Sequence, residues 1–284
     1  MTLIIFVADT HIGSGVGDKP FRLLSEEDPP FQHWMIPLRE KFCKVYHNPD
    51  FLILNGDMVE GPGDITLGVE NSTTSFDEQV KWAIECWSSI IGKNTKVYGL
   101  SGSGYHRGGK HGSDADRRVT EGLGGSFKGL VFEFEIGKEK IQISHGSGGG
   151  IVNPDAYLRR ELSLAIHDAQ ERGTRAPSIL VRSHAHQYFV HGDSAIIGYI
   201  TPCWQYATRY MLTKTVNRTP TIGCLLMEID DEHTKVFKET FPIPQEIIEA
   251  MRGYERLESK RIKEKKLKEK QYRLEALKLH LGET

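Results

Sequence analysis

One arrangement recurs along this chain and limits the folds open to it: a short apolar run ends, and glycine, aspartate or histidine follows within a few residues. It occurs at Val7-Ala8-Asp9-Thr10-His11, at Ile53-Leu54-Asn55-Gly56-Asp57 and at Gly99-Leu100-Ser101-Gly102-Ser103-Gly104-Tyr105-His106. It returns at Ile143-Ser144-His145-Gly146 and at Val181-Arg182-Ser183-His184-Ala185-His186. Short aliphatic and β-branched runs bounded by turn residues read as buried strands. Sheets in α/β folds bind ligands in the loops at the carboxyl ends of their strands. Five such loops can therefore converge on one sheet edge.

The segments between these runs alternate in kind. Residues 31–46 read as a helix that stops at Asn48-Pro49, with a break expected at Pro37, and residues 76–91 carry helical spacing in Val80, Ala83, Ile84, Trp87 and Ile91. Residues 2–8, 51–54 and 96–100 read as strands. Strand, loop and helix, twice over and then a third strand, imply α/β layering with a largely parallel sheet. The second half differs. Residues 129–136 and 140–144 read as a hairpin turned near Gly137-Lys138, and residues 154–170 as a helix. Residues 178–182, 188–191 and 195–200 read as strands, and 221–229 pairs with 233–240 across Asp230-Asp231. The expectation is layers, with the sheets inside.

Composition narrows the class. A chain of 284 residues, 38% hydrophobic and 26% charged, suits one large globular domain with an appendage. The four cysteines, Cys43, Cys86, Cys203 and Cys224, are far apart and form no C-x-x-C pair, which argues for reduced thiols over a disulfide framework or a structural zinc site. The apolar N-terminus is short, lacks a basic flank and ends in an acid, so it reads as a strand and not as a signal peptide. No stretch approaches the ~20 apolar residues of a membrane span. A cytoplasmic protein without membrane contact is expected.

The formal charge is only −2, but it is unevenly placed. Residues 252–278 hold eleven bases and five acids, about +6, which leaves about −8 on the remainder. Residues 1–243 are therefore read as the catalytic domain and 244–284 as a charged, net basic C-terminal helix. Three readings of that helix stand: contact with nucleic-acid phosphates, pairing with a second copy through Leu267, Leu274, Leu277 and Leu281, or a solvated helix. The apolar stripe is thin, with Ile262 the only aliphatic residue between Leu257 and Leu267, so a long coiled coil is not secure.

Asp9, His11, Asp57, His145, His184 and His186 suit one task. Carboxylate and neutral imidazole together bind divalent Mn, Fe, Zn or Ni. One carboxylate can bridge two ions, and Asp57 is the natural candidate. Two ions about 3.5–4 Å apart clamp a phosphoryl oxygen and lower the pKa of a bridging water, whose hydroxide attacks phosphorus in line.

Asp9-Thr10-His11, Gly56-Asp57, His145-Gly146 and His184-Ala185-His186, in this order, resemble the calcineurin-like metallophosphoesterases, whose usual pattern is D-x-H, G-D, G-N-H, H and G-H-x-H. The resemblance spans residues 1–186 and extends toward the strands that end near residue 240. It implies an α/β fold of two layered β-sheets flanked by helices, with the metals at one sheet edge. It further implies Asp9, His11 and His186 on one ion, Asp57 as the bridge, and His145 and His184 on the other. Two divalent ions are expected as cofactors, Mn first, with Fe, Zn and Ni as alternatives.

The chain departs from the pattern at the third motif. G-N-H is absent, and Gly102-Ser103-Gly104-Tyr105-His106 is its nearest match, a form similar to metallophosphoesterases of phages and mobile elements. Two readings follow for His106: it keeps the acid or phosphate-holding role while the second ion loses a ligand, or it ligates that ion itself. Arg107 and Lys110 are candidates to bind substrate phosphate, with solvated loop charge the competing reading. Glu60 is read either as a group that orients a ligand histidine or as an exposed loop acid. Gly146-Ser147-Gly148-Gly149-Gly150 allows close backbone approach to a ligand, but a plain flexible loop is the first reading. Ser183 replaces the first Gly of G-H-x-H, a change expected to matter little.

The function expected is a dinuclear metal-dependent phosphoesterase, a phosphodiesterase or nuclease acting on DNA or RNA. A phosphomonoesterase of a small molecule is the second reading. Gly56-Asp57-Met58-Val59-Glu60-Gly61 lacks the D-R-G that follows in the related protein phosphatases. The third reading, a non-catalytic metal-binding scaffold, is motivated by the lost Asn and opposed by the presence of all six principal ligands.

Overall fold

Alternating side chains of β1 (Thr2–Val7) set the layering. Ile5 and Val7 point into one core, Ile4 and Phe6 into another, and all four are fully buried. A strand with both faces covered belongs at the centre of a sheet between two layers. The computed structural model describes residues 1–62, 71–104, 106, 115–146, 153–193, 195–208 and 219–281. In its first sheet, β1 lies beside β2 (Phe51–Asn55), followed by β3 (Lys96–Leu100) and the short β4 (Ser126–Phe127), all parallel. On the other side of β1, β10 (Ile222–Ile229) and β11 (Thr234–Phe241) are antiparallel, giving the order β11-β10-β1-β2-β3-β4.

The second sheet has the order β5-β6-β7-β9-β8. Its centre, β6 (Glu139–Ser144), β7 (Ile179–Arg182) and β9 (Ile197–Ile200), is parallel. Its edges, β5 (Val131–Ile136) and β8 (Phe189–Gly192), are antiparallel. Both sheets are thus mixed: the parallel arrangement expected for the first half holds from β1 to the edge strand β4, and in the second sheet only the centre is parallel. The reason is connection length: tight hairpins join β5 to β6 and β10 to β11, and a tight turn can join only antiparallel strands.

The sheets face each other across Ile4, Phe6 and Ile53 on one side and Ile141, Ile143 and Val181 on the other. Each such side chain contributes about 1.5–3 kcal/mol on full burial. The outer face of the first sheet carries α1 (Pro30–Val45), α2 (Phe76–Ser88), α3 (Ala115–Gly122) and the start of α5 (Gln245–Leu281) through Met35, Trp87, Val119 and the fully buried Met251. The outer face of the second carries α4 (Pro154–Glu171) through Leu158, Leu162 and Ala165. The result is a layered α/β fold of two sheets flanked by helices.

Helix ends follow local chemistry. Ser75 Oγ accepts from Glu78 N at the start of α2, and Asn153 Oδ1 accepts from Ala156 N at the start of α4, which continues with Pro at its first position. Pro37 does not break α1. Burial of Phe31, Met35, Ile36 and Phe42 along one face outweighs the one backbone hydrogen bond a proline removes. Neither α3 nor β4 was foreseen, since α3 spans only eight residues and its polar sequence carries no apolar repeat. The four cysteines are buried and free. No helix among the described residues is long and apolar enough to cross a membrane.

Candidate metal centre

The chain leaves β1, β2 and β7 through residues held in the left-handed region. Six non-glycine residues among those described have positive φ, and five of them are Asp9 (51°), His11 (43°), Asp57 (52°), His184 (71°) and His186 (54°). That conformation costs a side chain of this kind on the order of 1–3 kcal/mol and persists only where surroundings enforce it. Here the loops enforce it on one another. Asp9 N donates to Gly56 O, His11 N to Asp57 O and Ile12 N to Met58 O, each at 3.1 Å. Ser183 N donates to His145 O at 2.8 Å, and Thr221 N to His186 O at 2.9 Å.

The structure brings the six residues together. Potential ligand atoms of Asp9, His11 and His186 lie within 4.8 Å of one another, as do those of Asp9, Asp57, His145 and His184. All but His184 are buried. Two glycines make the approach possible. A Cβ on Gly102 would stand 2.1 Å from Asp57 Oδ1, and one on Gly56 would stand 2.7 Å from His145 Nδ1.

Proton positions follow from partners that can only accept. His145 Nδ1 lies 2.7 Å from Asn55 O, and His11 Nδ1 lies 3.0 Å from Glu60 Oε2. Both Nδ1 atoms therefore carry hydrogen, and in the neutral ring Nε2 is left as a lone pair turned inward. His145 Nε2 then faces Asp57 Oδ2 at 3.0 Å and Asp9 Oδ1 at 3.7 Å. His11 Nε2 faces His186 Nε2 at 3.2 Å. Lone pairs opposed to carboxylates at this range require a cation between them, either a proton or a metal.

Protonation states respond accordingly. Burial alone would lower the His145 pKa, but Asp57 and Asp9 outweigh it and hold it up at about 10. Burial likewise works against the charge on Asp9, yet His186 and His145 bring its carboxyl down to about 2. Nine buried side-chain polar atoms among the described residues lack a hydrogen bond, and four of them face one another in this cluster: Asp9 Oδ1, Asp57 Oδ2, His145 Nε2 and His184 Nδ1. Orphaned buried polar atoms cost about 1–3 kcal/mol each, so their convergence on one spot fits a divalent cation, and carboxylate with imidazole is a suitable donor set.

His106 is drawn in on a different side from that expected. Its Nδ1 contacts Glu60 O at 2.5 Å and its ring packs edge-on against His11 at 4.4 Å between centroids. It clusters with His11 and Asp57, not with His145 and His184, so the reading in which it completes the second ion's ligands does not match the geometry. Arg107, Lys110 and most of the Gly146–Gly150 run lie outside the described residues.

Several supporting residues escaped the sequence reading or were undervalued by it. Glu60 is not an exposed loop acid: its carboxylate receives His11 and Gln205 Nε2 (3.1 Å) while its carbonyl receives His106. Asp116 accepts from Met58 N at 3.0 Å and Gly102 N at 2.7 Å, tying the loops of Asp57 and Ser103 together. Ser183 is buried, and its hydroxyl accepts from Asn55 Nδ2 at 2.6 Å and meets Thr201 Oγ1 at 2.9 Å, so a Gly there would forgo these bonds. Asp116 and Gln205 carry no strand-end signature, whereas Asn55 lies inside the Asn-Gly-Asp turn and was legible there. Glu60→Gln is expected to weaken Mn²⁺ binding by about 10–100-fold, because the partner that orients His11 loses its charge. Calorimetric titration with Mn²⁺ checks this, and an unchanged affinity would remove Glu60 from the metal centre.

No family model matches the chain, and no curated protein matches it. Solved structures do match. A phosphodiesterase of an archaeon is 13% identical with a TM-score of 0.44, covering 84% of this chain and 100% of its own. Wild-type Vps29 of Entamoeba histolytica complexed with Zn²⁺ is 14% identical with a TM-score of 0.42, covering 85% and 100%. A predicted phosphoesterase of Streptococcus pneumoniae is 14% identical with a TM-score of 0.38, covering 84% and 89%. The chain itself has two facing mixed sheets between helices, with D-x-H, G-D and H-x-H gathered at the ends of β1, β2 and β7.

Proposed function

We propose that this chain is a metal-dependent phosphodiesterase that uses two divalent ions, Mn²⁺ foremost, and cleaves DNA or RNA. The observation that carries the reading is the convergence of four orphaned polar atoms, from Asp9, Asp57, His145 and His184, on one spot. Asp9, His11 and His186 would hold one ion, His145 and His184 the other, and Asp57 would be shared by both. When bound, two such ions polarise the phosphoryl oxygens and make hydroxide available near neutral pH. The chain's own residues orient these groups. Asn55 O and Glu60 fix the ring faces of His145 and His11, and Ser103 N and Oγ hold Asp57 Oδ1 at 2.7 and 3.2 Å. His106 stands beside His11, with Nδ1 2.5 Å from Glu60 O, as the proposed proton donor or phosphate contact.

The cleft beside His145 and His184 favours a diester over a monoester. Its volume is about 490 Å³, and Ser101, Ser103, Ser144, Tyr157 and Glu161 help to line it. Among the described lining residues there is no lysine or arginine. A singly charged diester suits that wall better than a dianionic monoester. The basic α5 would supply attraction to a polyanion from outside the cleft.

The test is incubation of the purified chain with Mn²⁺ and single- and double-stranded DNA, RNA, bis-p-nitrophenyl phosphate and p-nitrophenyl phosphate. Cleavage of strands and of the diester is expected, with the monoester slower. Cleavage of the model diester but of no strand would make the nucleic-acid part wrong, and faster monoester turnover would favour the phosphomonoesterase. Reversing Lys260, Lys263, Lys268 and Lys270 to Glu is expected to raise KM for DNA about tenfold or more at low salt, without changing turnover of bis-p-nitrophenyl phosphate.

A further inference from the structure

The third motif leaves a gap at the second ion. In the pattern that the chain resembles, an asparagine ligates that ion, and Ser103 stands in its place. Ser103 does not fill the gap, because its N–H and hydroxyl both donate to Asp57 Oδ1 at 2.7 and 3.2 Å. His106 does not fill it either, since it clusters with His11 and Asp57.

Asp9 does reach. Its carboxylate is fully buried at the end of β1, and Oδ2 accepts from His184 N at 3.0 Å. Oδ1 has no hydrogen bond. It lies 3.4 Å from His186 Nε2, 3.7 Å from His145 Nε2 and 3.9 Å from His11 Nε2. That one oxygen stands between nitrogens that the proposed function divides between two ions. Asp9 is also the one residue common to the Asp9, His11, His186 group and the Asp9, Asp57, His145, His184 group. Its positive φ and the Asp9 N to Gly56 O bond hold it there.

We infer that Asp9 is a second bridging carboxylate, shared by both ions, and that it takes the place of the missing asparagine. The inference rests on the two-ion reading proposed above. It exchanges a neutral amide for a charged oxygen, so the two ions share two carboxylates in place of one. Each ion then depends on Asp9, whereas each histidine serves one ion.

The experiment is calorimetric titration of Mn²⁺ into the metal-free full-length chain, with bound ions counted by elemental analysis. Wild type, His11→Ala, His184→Ala and Asp9→Asn are compared. Asp9→Ser is carried alongside, and circular dichroism melts without metal establish that the variants are folded. Wild type is expected to bind two ions. Each histidine variant is expected to weaken one site by about tenfold or more and spare the other, whereas both Asp9 variants weaken both sites by about that factor. Loss at one site only in the Asp9 variants, with the second ion bound at wild-type affinity, overturns the shared role and leaves the two-ion reading intact. A wild type that takes up fewer than two ions overturns the two-ion reading itself, and the shared role with it.

Discussion

Asp57→Asn is expected to lower kcat/KM for bis-p-nitrophenyl phosphate by about 10³-fold or more. A metal clamp contributes several kcal/mol to the transition state, and about 1.4 kcal/mol is a factor of ten. The side chain is 1% exposed. One of its oxygens is held by Ser103, and the other lies 3.0 Å from His145 Nε2 and 3.8 Å from His184 Nδ1. Burial opposes its charge, but His145 and His106 hold its carboxyl well below the ordinary range. Asparagine matches its size, removes that charge and turns an N–H toward one side of the site. The fold should persist, because both neighbours of Asp57 in the loop keep their backbone bonds. Metal content measured on the same samples should fall with activity. Equal turnover by the variant would refute the mechanism.

Arg39→Ala is expected to cost about 3–5 kcal/mol of stability, the usual result of stripping one partner from a buried ion pair. Arg39 and Asp18 are both fully buried, with Nε 3.0 Å from Asp18 Oδ2. The same guanidinium donates to Cys86 O at 2.9 Å and to Lys19 O at 3.1 Å. Alanine would leave the Asp18 carboxylate with the Lys19 N–H but without its counter-charge, and would remove the guanidinium donors from two carbonyls. Burial pushes the Asp18 carboxyl up against the pull of Arg39, so the lone acid would take up a proton when its partner is gone. The melting temperature should fall by roughly 10 °C for a domain of this size. The double variant Asp18→Leu, Arg39→Met should recover much of the loss, since an apolar pair can replace a buried ion pair at little cost. A single variant that melts with the wild type would show the pair to be dispensable. Asp18 N donates to Thr10 O at 3.1 Å, so the pair also anchors the loop that carries Asp9 and His11. Metal affinity should therefore weaken in the single variant below its melting point.

Much of the candidate site was legible because its residues sit at strand ends. Asp9, His11, Asp57, His145, His184 and His186 each follow an aliphatic run whose burial is a local property of composition and period. Glu60 was half legible: its position three residues after Asp57 is visible, but its burial depends on Gln205, which is 145 residues away. Asp116 was not legible, because nothing near it in sequence marks the carboxylate that joins the Met58 and Gly102 amides. The continuous path of α1 through Pro37 was missed for a related reason. A proline penalty is local, whereas the apolar face that outweighs it is formed by neighbours in space.

The amino-acid sequence by itself determined the longer strands, the longer helices that separate them and six candidate metal-type side chains, since apolar period and strand-end chemistry are short-range. Only the tertiary structure decided how those side chains share the site. His184 N meets Asp9 Oδ2 across 175 residues, and His106 turns toward His11 because its Nδ1 contacts Glu60 O. Asp9 Oδ1 comes to rest among three imidazoles because three loops with left-handed residues are tied to one another by hydrogen bonds. Distances of this kind depend on how two sheets pack, and no window of sequence contains both partners.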